Sequence, residues 1–200
     1  MFILNQSTIL TCSLCVFSYI LGSIPWGVLL ARTKGLELKN IGSGNIGATN
    51  IYRAMGLKPA ILIFVLDMLK GLIPTLFAIE LLDLSWLHVL VPSFAMIGHA
   101  FSCFFKFKGG KSVATGIGIV LGLSPLLGGL GIALALLIIR TTKIVSIATL
   151  VVGLILPFLF YALNYPVAYV FFLSLATLFI YWKHRSNIVR LICGKEHKLT

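Results

Sequence analysis

Long apolar stretches alternate with short polar ones along the chain. The apolar stretches run over residues 7–31, 59–82, 85–105, 112–139, 144–163 and 166–182. A helix needs about 20 apolar residues to cross a bilayer, and these stretches are of that scale. The pattern predicts an all-α integral membrane protein. The polar segments between them are 32–58, 106–111, 140–143 and the tail 183–200, with short turns near Asp83 and Asn164–Pro166.

The cations assign the sides. Fifteen of the sixteen Lys and Arg residues lie in those four polar segments, Lys70 being the exception. Cytoplasmic loops are the ones enriched in Lys and Arg, so all four segments are assigned to the cytoplasm. The stretch 112–139 then starts and ends on the same side. Its length corresponds to about 42 Å of helix, too short for two crossings of about 30 Å each. It is expected to be a pair of short, tilted helices or a re-entrant hairpin turning at Ser124-Pro125. Gly118, Gly122, Gly128, Gly129 and Gly131 would allow close packing there, Gly118 and Gly122 at the spacing of a small-residue contact motif. The expected count is seven transmembrane segments, N-terminus outside and C-terminus cytoplasmic, in a single membrane-embedded domain over 1–200.

Composition excludes the soluble alternative. The chain is 59% hydrophobic and 10% charged, with mean hydropathy +1.07, against about 45–50% apolar and about 25% charged in soluble domains. The net charge of +11 points, in a membrane protein, to anionic headgroups or phosphorylated substrates rather than nucleic acid. The first charged residue is Arg32, so the first stretch lacks the basic start of a cleaved signal peptide. The four cysteines form no metal-ligand pattern, and Cys12-x-x-Cys15 lies within the first apolar span, where packing or lipid contact is expected.

Three polar clusters carry the candidate chemistry. The first is Ser43-Gly44-Asn45-Ile46-Gly47-Ala48-Thr49-Asn50-Ile51-Tyr52-Arg53. Its Gly42-x-Gly44-x-x-Gly47 spacing matches a dinucleotide-binding fingerprint, but that fingerprint requires a preceding strand. What remains is a glycine loop whose backbone N–H groups can converge on an anion, with an Arg suited to forked phosphate contacts. The second runs from Gly98-His99 through Lys106, Lys108, Gly109, Gly110 and Lys111 to Gly116. Gly110-Lys111-Ser112 is like the end of a nucleotide-binding loop, but Phe105 stands where that loop needs glycine. It is a glycine-flanked lysine opening a helix, where partial positive charge favours phosphate. The third is the tail, with His184 and Asn187 at i, i+3 and so able to share a helix face. Ser146 beside Lys143 is a further contributor. Asp67 and Lys70, also i, i+3, form a candidate ion pair within the membrane, read as a structural pair, and His99 as a structural histidine.

Taken together the clusters resemble the bacterial acyl-phosphate:glycerol-3-phosphate acyltransferase family. The matching stretches are Gly22-Ser23-Ile24-Pro25 with Gly27, Ser43-Gly44-Asn45 through Arg53-x-x-Gly56, Asp67-x-x-Lys70-Gly71, Gly98-His99-x-Phe101, Phe107-x-Gly109-Gly110-Lys111 and His184-Arg185-x-Asn187-Ile188. Ser102 stands where the family usually has Pro, and Ser112 where Gly is common. The resemblance implies a seven-helix fold, no cofactor or metal, and a place in the bacterial cytoplasmic (inner) membrane with the active site on the cytoplasmic face. It implies transfer of a fatty acyl group from acyl phosphate to the 1-hydroxyl of glycerol 3-phosphate, with membrane lipid as the surrounding partner.

The expected roles follow from that chemistry. Ser43, Gly44 and neighbouring backbone amides, with Lys111, His184 and Asn187, are expected to hold acyl phosphate, and Asn45, Gly109 and Gly110 are further expected substrate-binding residues. Thr49, Asn50, Arg53, Lys108, Ser146 and Glu196 are expected to hold glycerol 3-phosphate. A mixed anhydride is already activated, so positioning and charge stabilisation can carry the rate. His184 and a substrate phosphate oxygen are both available to take the proton, and an acylated Ser43 is a rival route. The competing functions are a membrane transporter and a binder of phosphorylated anions.

Overall fold

Inside a bilayer every backbone N–H and C=O needs an internal partner, which allows helices or a closed barrel, and the apolar stretches here are helical. The structure, a computed structural model, describes residues 6–199; residues 1–5 and 200 of the expected domain lie outside the described residues. Its helices are α1 (Gln6–Ser23), α2 (Trp26–Arg32), α3 (Ala48–Met55), α4 (Leu57–Leu81), α5 (Ser85–Ala100), α6 (Val113–Leu123), α7 (Pro125–Thr142), α8 (Val145–Ala162), α9 (Val167–Lys183) and α10 (Arg185–Ile192). Short 3₁₀ turns lie at Leu38–Asn40 and Cys103–Phe105.

Among the described residues four segments are long and apolar enough to cross a membrane: Gln6–Arg32 taken across its break, α4, α7 and α8. α9 and α10, bent by 63° at their junction, make a fifth when taken together. α5 and α6 are shorter, at 16 and 11 residues. Outward-facing Leu57, Phe77, Leu90 and Leu130 give these helices the apolar exterior that lipid, rather than water, would cover. The break in 112–139 falls at Ser124-Pro125. There the Ser124 Oγ accepts from the Leu127 N–H at 3.3 Å and Pro125 occupies the first helical position, where its missing N–H costs nothing.

The chain divides into two compact units, one ending at Gly122 and one beginning at Leu123. In the first unit α1 packs on α4 and α5. Close approach needs glycine at the crossings. A Cβ on Gly22 would lie 2.3 Å from the Ala95 carbonyl oxygen, and one on Gly118 1.9 Å from that of Met68. Gly118 and Gly122 thus press α6 onto α4, where a Cβ on Gly122 would meet Thr75 at 2.7 Å. Beneath the first polar loop sits a core of Val28, Ala31, Leu38, Ile46, Ile51 and Ile63.

In the second unit α8 packs between α7 and α9. Thr177 Oγ1 donates to the Gly153 carbonyl at 2.6 Å and Tyr181 Oη to that of Leu150 at 3.0 Å, tying α9 to α8. Gly131 meets Val152 and Leu156 at ordinary contact distance, whereas Gly129 faces open space. The expectation of close packing therefore does not hold at Gly129.

Candidate active site

The first loop is built by Asn50. This side chain, 1% exposed, accepts the Ser43 N–H at 3.0 Å and faces Ser43 Oγ at 3.4 Å, while its Nδ2 donates to the Leu38 carbonyl at 3.3 Å. Gly42 and Gly44 take left-handed backbone, φ 53° and 68°, as the reversal at Ser43 requires. Asn45 Oδ1 accepts the Gly47 N–H at 2.9 Å, an Asx turn that delivers the chain into α3. The N–H groups of Ser43, Gly44 and Gly47 are thus engaged within the loop. The groups that a helix start leaves without intrahelical acceptors are in the first turn of α3, at Ala48 and Thr49. Thr49 and Arg53 lie at i, i+4 on α3, and Gly42 lies against the Arg53 stem, a Cβ there meeting Cδ at 2.9 Å.

The second loop is held from α5. The Phe107 N–H donates to the Ser102 carbonyl at 2.8 Å, closing a tight turn through Lys106 and Phe107, both left-handed. Lys106 and Lys108 project as exposed cations, while Lys111 is half-buried. The Gly110 N–H donates to the His99 carbonyl at 3.0 Å, and Ser112 Oγ to that of Met96 at 2.8 Å. These bonds fix Lys111 just before α6. A narrow cleft lined by Pro25, Ile46, Asp67, Lys70, His99 and Ser102 lies behind both loops, Ile46 belonging to the first and Ser102 to the second.

Asp67 and Lys70 pair at 2.6 Å, with side chains 5% and 2% exposed. Lys70 also donates at 2.5 Å to the Ile24 carbonyl, in the gap between α1 and α2, an oxygen that also accepts the Trp26 N–H at 3.0 Å. The expected structural pair is therefore present, and it anchors three helices.

In the second unit Glu196 gathers the predicted residues. Its carboxylate accepts from Asn187 Nδ2 at 2.5 Å, from Ser146 Oγ at 3.0 Å and from Arg190 Nε at 2.7 Å. Burial pushes this carboxyl up, but the hydrogen bonds from Asn187, Arg190 and Ser146 and the Arg190 charge outweigh it and hold it below its ordinary range. His184, at the α9–α10 junction and 4% exposed, donates from Nδ1 to the Ile180 carbonyl at 2.8 Å. A carbonyl only accepts, so the neutral ring keeps its lone pair on Nε2. Sequence reasoning missed Arg190. The signal was there: His184, Asn187 and Arg190 recur every third residue, on neighbouring positions of one helical face.

The profile of the family described as glycerol-3-phosphate acyltransferase matches residues 12–194. The chain belongs to the glycerol-3-phosphate acyltransferase family. A family member from Aquifex aeolicus is 41% identical over 187 residues, covering 92% of this chain and 97% of the relative. One from Thermus thermophilus is 40% identical over 184 residues, covering 92% of each. Among solved structures, the chain is similar to PlsY, an integral membrane glycerol 3-phosphate acyltransferase, in its glycerol 3-phosphate form. The TM-score is 0.92 at 38% identity, covering 95% of this chain and 96% of that one. The lysophosphatidic acid form of PlsY matches with TM-score 0.89 at 37% identity, covering 95% of each.

Membership in this family gives the two departures a structural reading. Ser102 has φ −65°, the value a proline ring imposes, and its hydroxyl donates to the Ser23 carbonyl. Ser112 has φ 59°, the left-handed region where glycine is at ease. Its bond to Met96 offsets that strain.

Proposed function

We propose that the chain transfers a fatty acyl group from acyl phosphate to the 1-hydroxyl of glycerol 3-phosphate, giving lysophosphatidic acid and inorganic phosphate for bacterial phospholipid synthesis. The match over nearly the whole chain to a relative in its glycerol 3-phosphate form carries this reading. The hydroxyl oxygen attacks the acyl carbon, the bond from that carbon to the phosphate oxygen breaks, and its electron pair leaves with phosphate. The hydroxyl proton passes to a phosphate oxygen. His184, with its lone pair on Nε2, is the rival acceptor. Glu196 is a poor one, because three donors already hold its charged form.

Ser43, Lys111, His184 and Asn187 serve the donor, with Gly44, Asn45, Gly109 and Gly110 shaping the loops. Thr49, Arg53 and Lys108 take the acceptor phosphate. Asn50 acts by bracing Ser43, and Glu196 by aligning Ser146, Asn187 and Arg190. No cofactor or metal is assigned a role, since the anhydride brings its own leaving group. The whole chain works as one acyltransferase domain in the cytoplasmic membrane, with seven segments, the N-terminus outside and the active site on the cytoplasmic face. The concentration of fifteen of the sixteen Lys and Arg residues in four segments supports that orientation.

Phosphate release from acyl phosphate by the purified full chain tests the reaction. Release that depends on glycerol 3-phosphate and matches lysophosphatidic acid formed is the expected result. Transport of glycerol 3-phosphate into vesicles without phosphate release would make the chain a transporter instead. An acylated Ser43 peptide recovered after rapid quench would replace direct transfer by a covalent route. Lys111→Met should reduce turnover by about 100-fold or more, the scale for losing one charge stabiliser.

A further inference from the structure

His99 lies deep in the first unit, 6% exposed, and touches two things of different kind. On one side its Nδ1 stands 3.7 Å from Asp67 Oδ1. On the other, the ring fills the place where Gly110 would carry a side chain: a Cβ there would lie 2.1 Å from Nε2. The His99 backbone grips the same turn. Its carbonyl accepts the Gly110 N–H at 3.0 Å, and a Cβ on Gly109 would fall 2.1 Å from that oxygen. Gly110 is therefore moulded on the His99 ring, and Gly109 on the His99–Ala100 backbone. Asp67 in turn is pinned by Lys70 at 2.6 Å, and its backbone carbonyl accepts from Thr115 Oγ1 at 3.0 Å, two residues into α6. The buried cluster thus grips both ends of the segment that carries Lys111.

We infer that His99 is a positioning residue for the acyl-transfer reaction: backed by the Asp67–Lys70 pair, its imidazole packs against Gly110 and so, together with the His99 carbonyl that holds the same turn, places Lys111. The inference rests on the proposed phosphate role of Lys111. It assigns the two ring nitrogens different jobs, Nδ1 facing the ion pair and Nε2 facing the loop. A residue that merely filled the core would need only its volume and its Asp67 contact.

The two amide side chains separate these jobs. Gln reaches the Nε2 position and Asn only the Nδ1 position. The experiment is steady-state kinetics on the purified full chain with His99→Gln, His99→Asn and His99→Ala, varying each substrate in turn, with melting temperature measured alongside. His99→Asn and His99→Ala should raise KM for acyl phosphate by about tenfold or more, the penalty for a displaced binding group. KM for glycerol 3-phosphate should stay within about twofold, and His99→Gln should recover most of the donor affinity. Equal behaviour of Gln and Asn, recovery by Asn alone, an unchanged donor KM, or failure of all three variants to fold would each overturn the inference. The two failures are distinguishable. Normal turnover by Lys111→Met removes the phosphate role of Lys111. An inactive Lys111→Met beside a kinetically normal His99→Ala removes the role of His99 alone.

Discussion

Ser112 holds a glycine conformation without being glycine. Its φ of 59° costs about 1–2 kcal/mol for an ordinary residue, and its hydroxyl bond to Met96 returns about 1 kcal/mol. The two terms nearly cancel, so Ser112→Gly should leave the melting temperature within about 3 °C of the parent, while Ser112→Ala, which keeps the strain and loses the bond, should lower it. Glu196 makes a second prediction at this scale. Its carboxyl is held below its ordinary range, so the charged form is favoured when folded. The stability it contributes is full above the unfolded carboxylate value, about 4.3, and is lost as pH falls through the lower folded value. Melting curves of parent and Glu196→Gln should therefore differ at neutral pH and converge in acid; a constant difference across the range would contradict the assignment. The residue types at these positions were legible in the sequence. Their partners were not, because Ser146 meets Glu196 across 50 positions, and spacing carries no trace of such a contact.

At the scale of elements, the apolar stretches and the break at Ser124-Pro125 were readable because both express local chemistry: chain length against bilayer thickness, and a proline at a helix start. Which glycines matter was not readable, since that depends on what lies opposite. Gly118 presses on the Met68 carbonyl, while Gly129 faces open space. The same substitution should thus have opposite signs. Gly129→Ala places a methyl group where nothing obstructs it and should stabilise by about 0.4–1 kcal/mol through the unfolded chain. Gly118→Ala drives a methyl into backbone and should destabilise, overpacking typically costing about 1–3 kcal/mol. Thermal unfolding in detergent micelles measures both, and like signs would show that α6 does not press on α4 as described. The Asp67–Lys70 pair was visible as a spacing, but the anchoring of Lys70 to Ile24 was not: a proline-interrupted helix pair exposes a carbonyl only once it has folded.

The molecule as a whole makes a claim about sides. Every cationic segment but one residue was assigned to the cytoplasm on charge alone, and the acyl-transfer proposal needs that side to be right, because its phosphate-bearing acceptor is water-soluble. The chain's own cysteines report on it. Cys103 and Cys193 are exposed, one beside the second loop and one in the basic tail, whereas exposed Cys12 and buried Cys15 lie within the apolar α1. A membrane-impermeant maleimide should therefore label Cys103 and Cys193 in inside-out vesicles and neither in intact spheroplasts. Leu84→Cys, introduced at an exposed position in the cation-poor turn, should give the reverse pattern. Labelling of Cys193 in spheroplasts would place the tail outside and separate His184 and Asn187 from cytosolic glycerol 3-phosphate. Labelling of Cys103 and Cys193 from different sides would do more, since no single-sided chemistry could then use both Lys111 and Asn187.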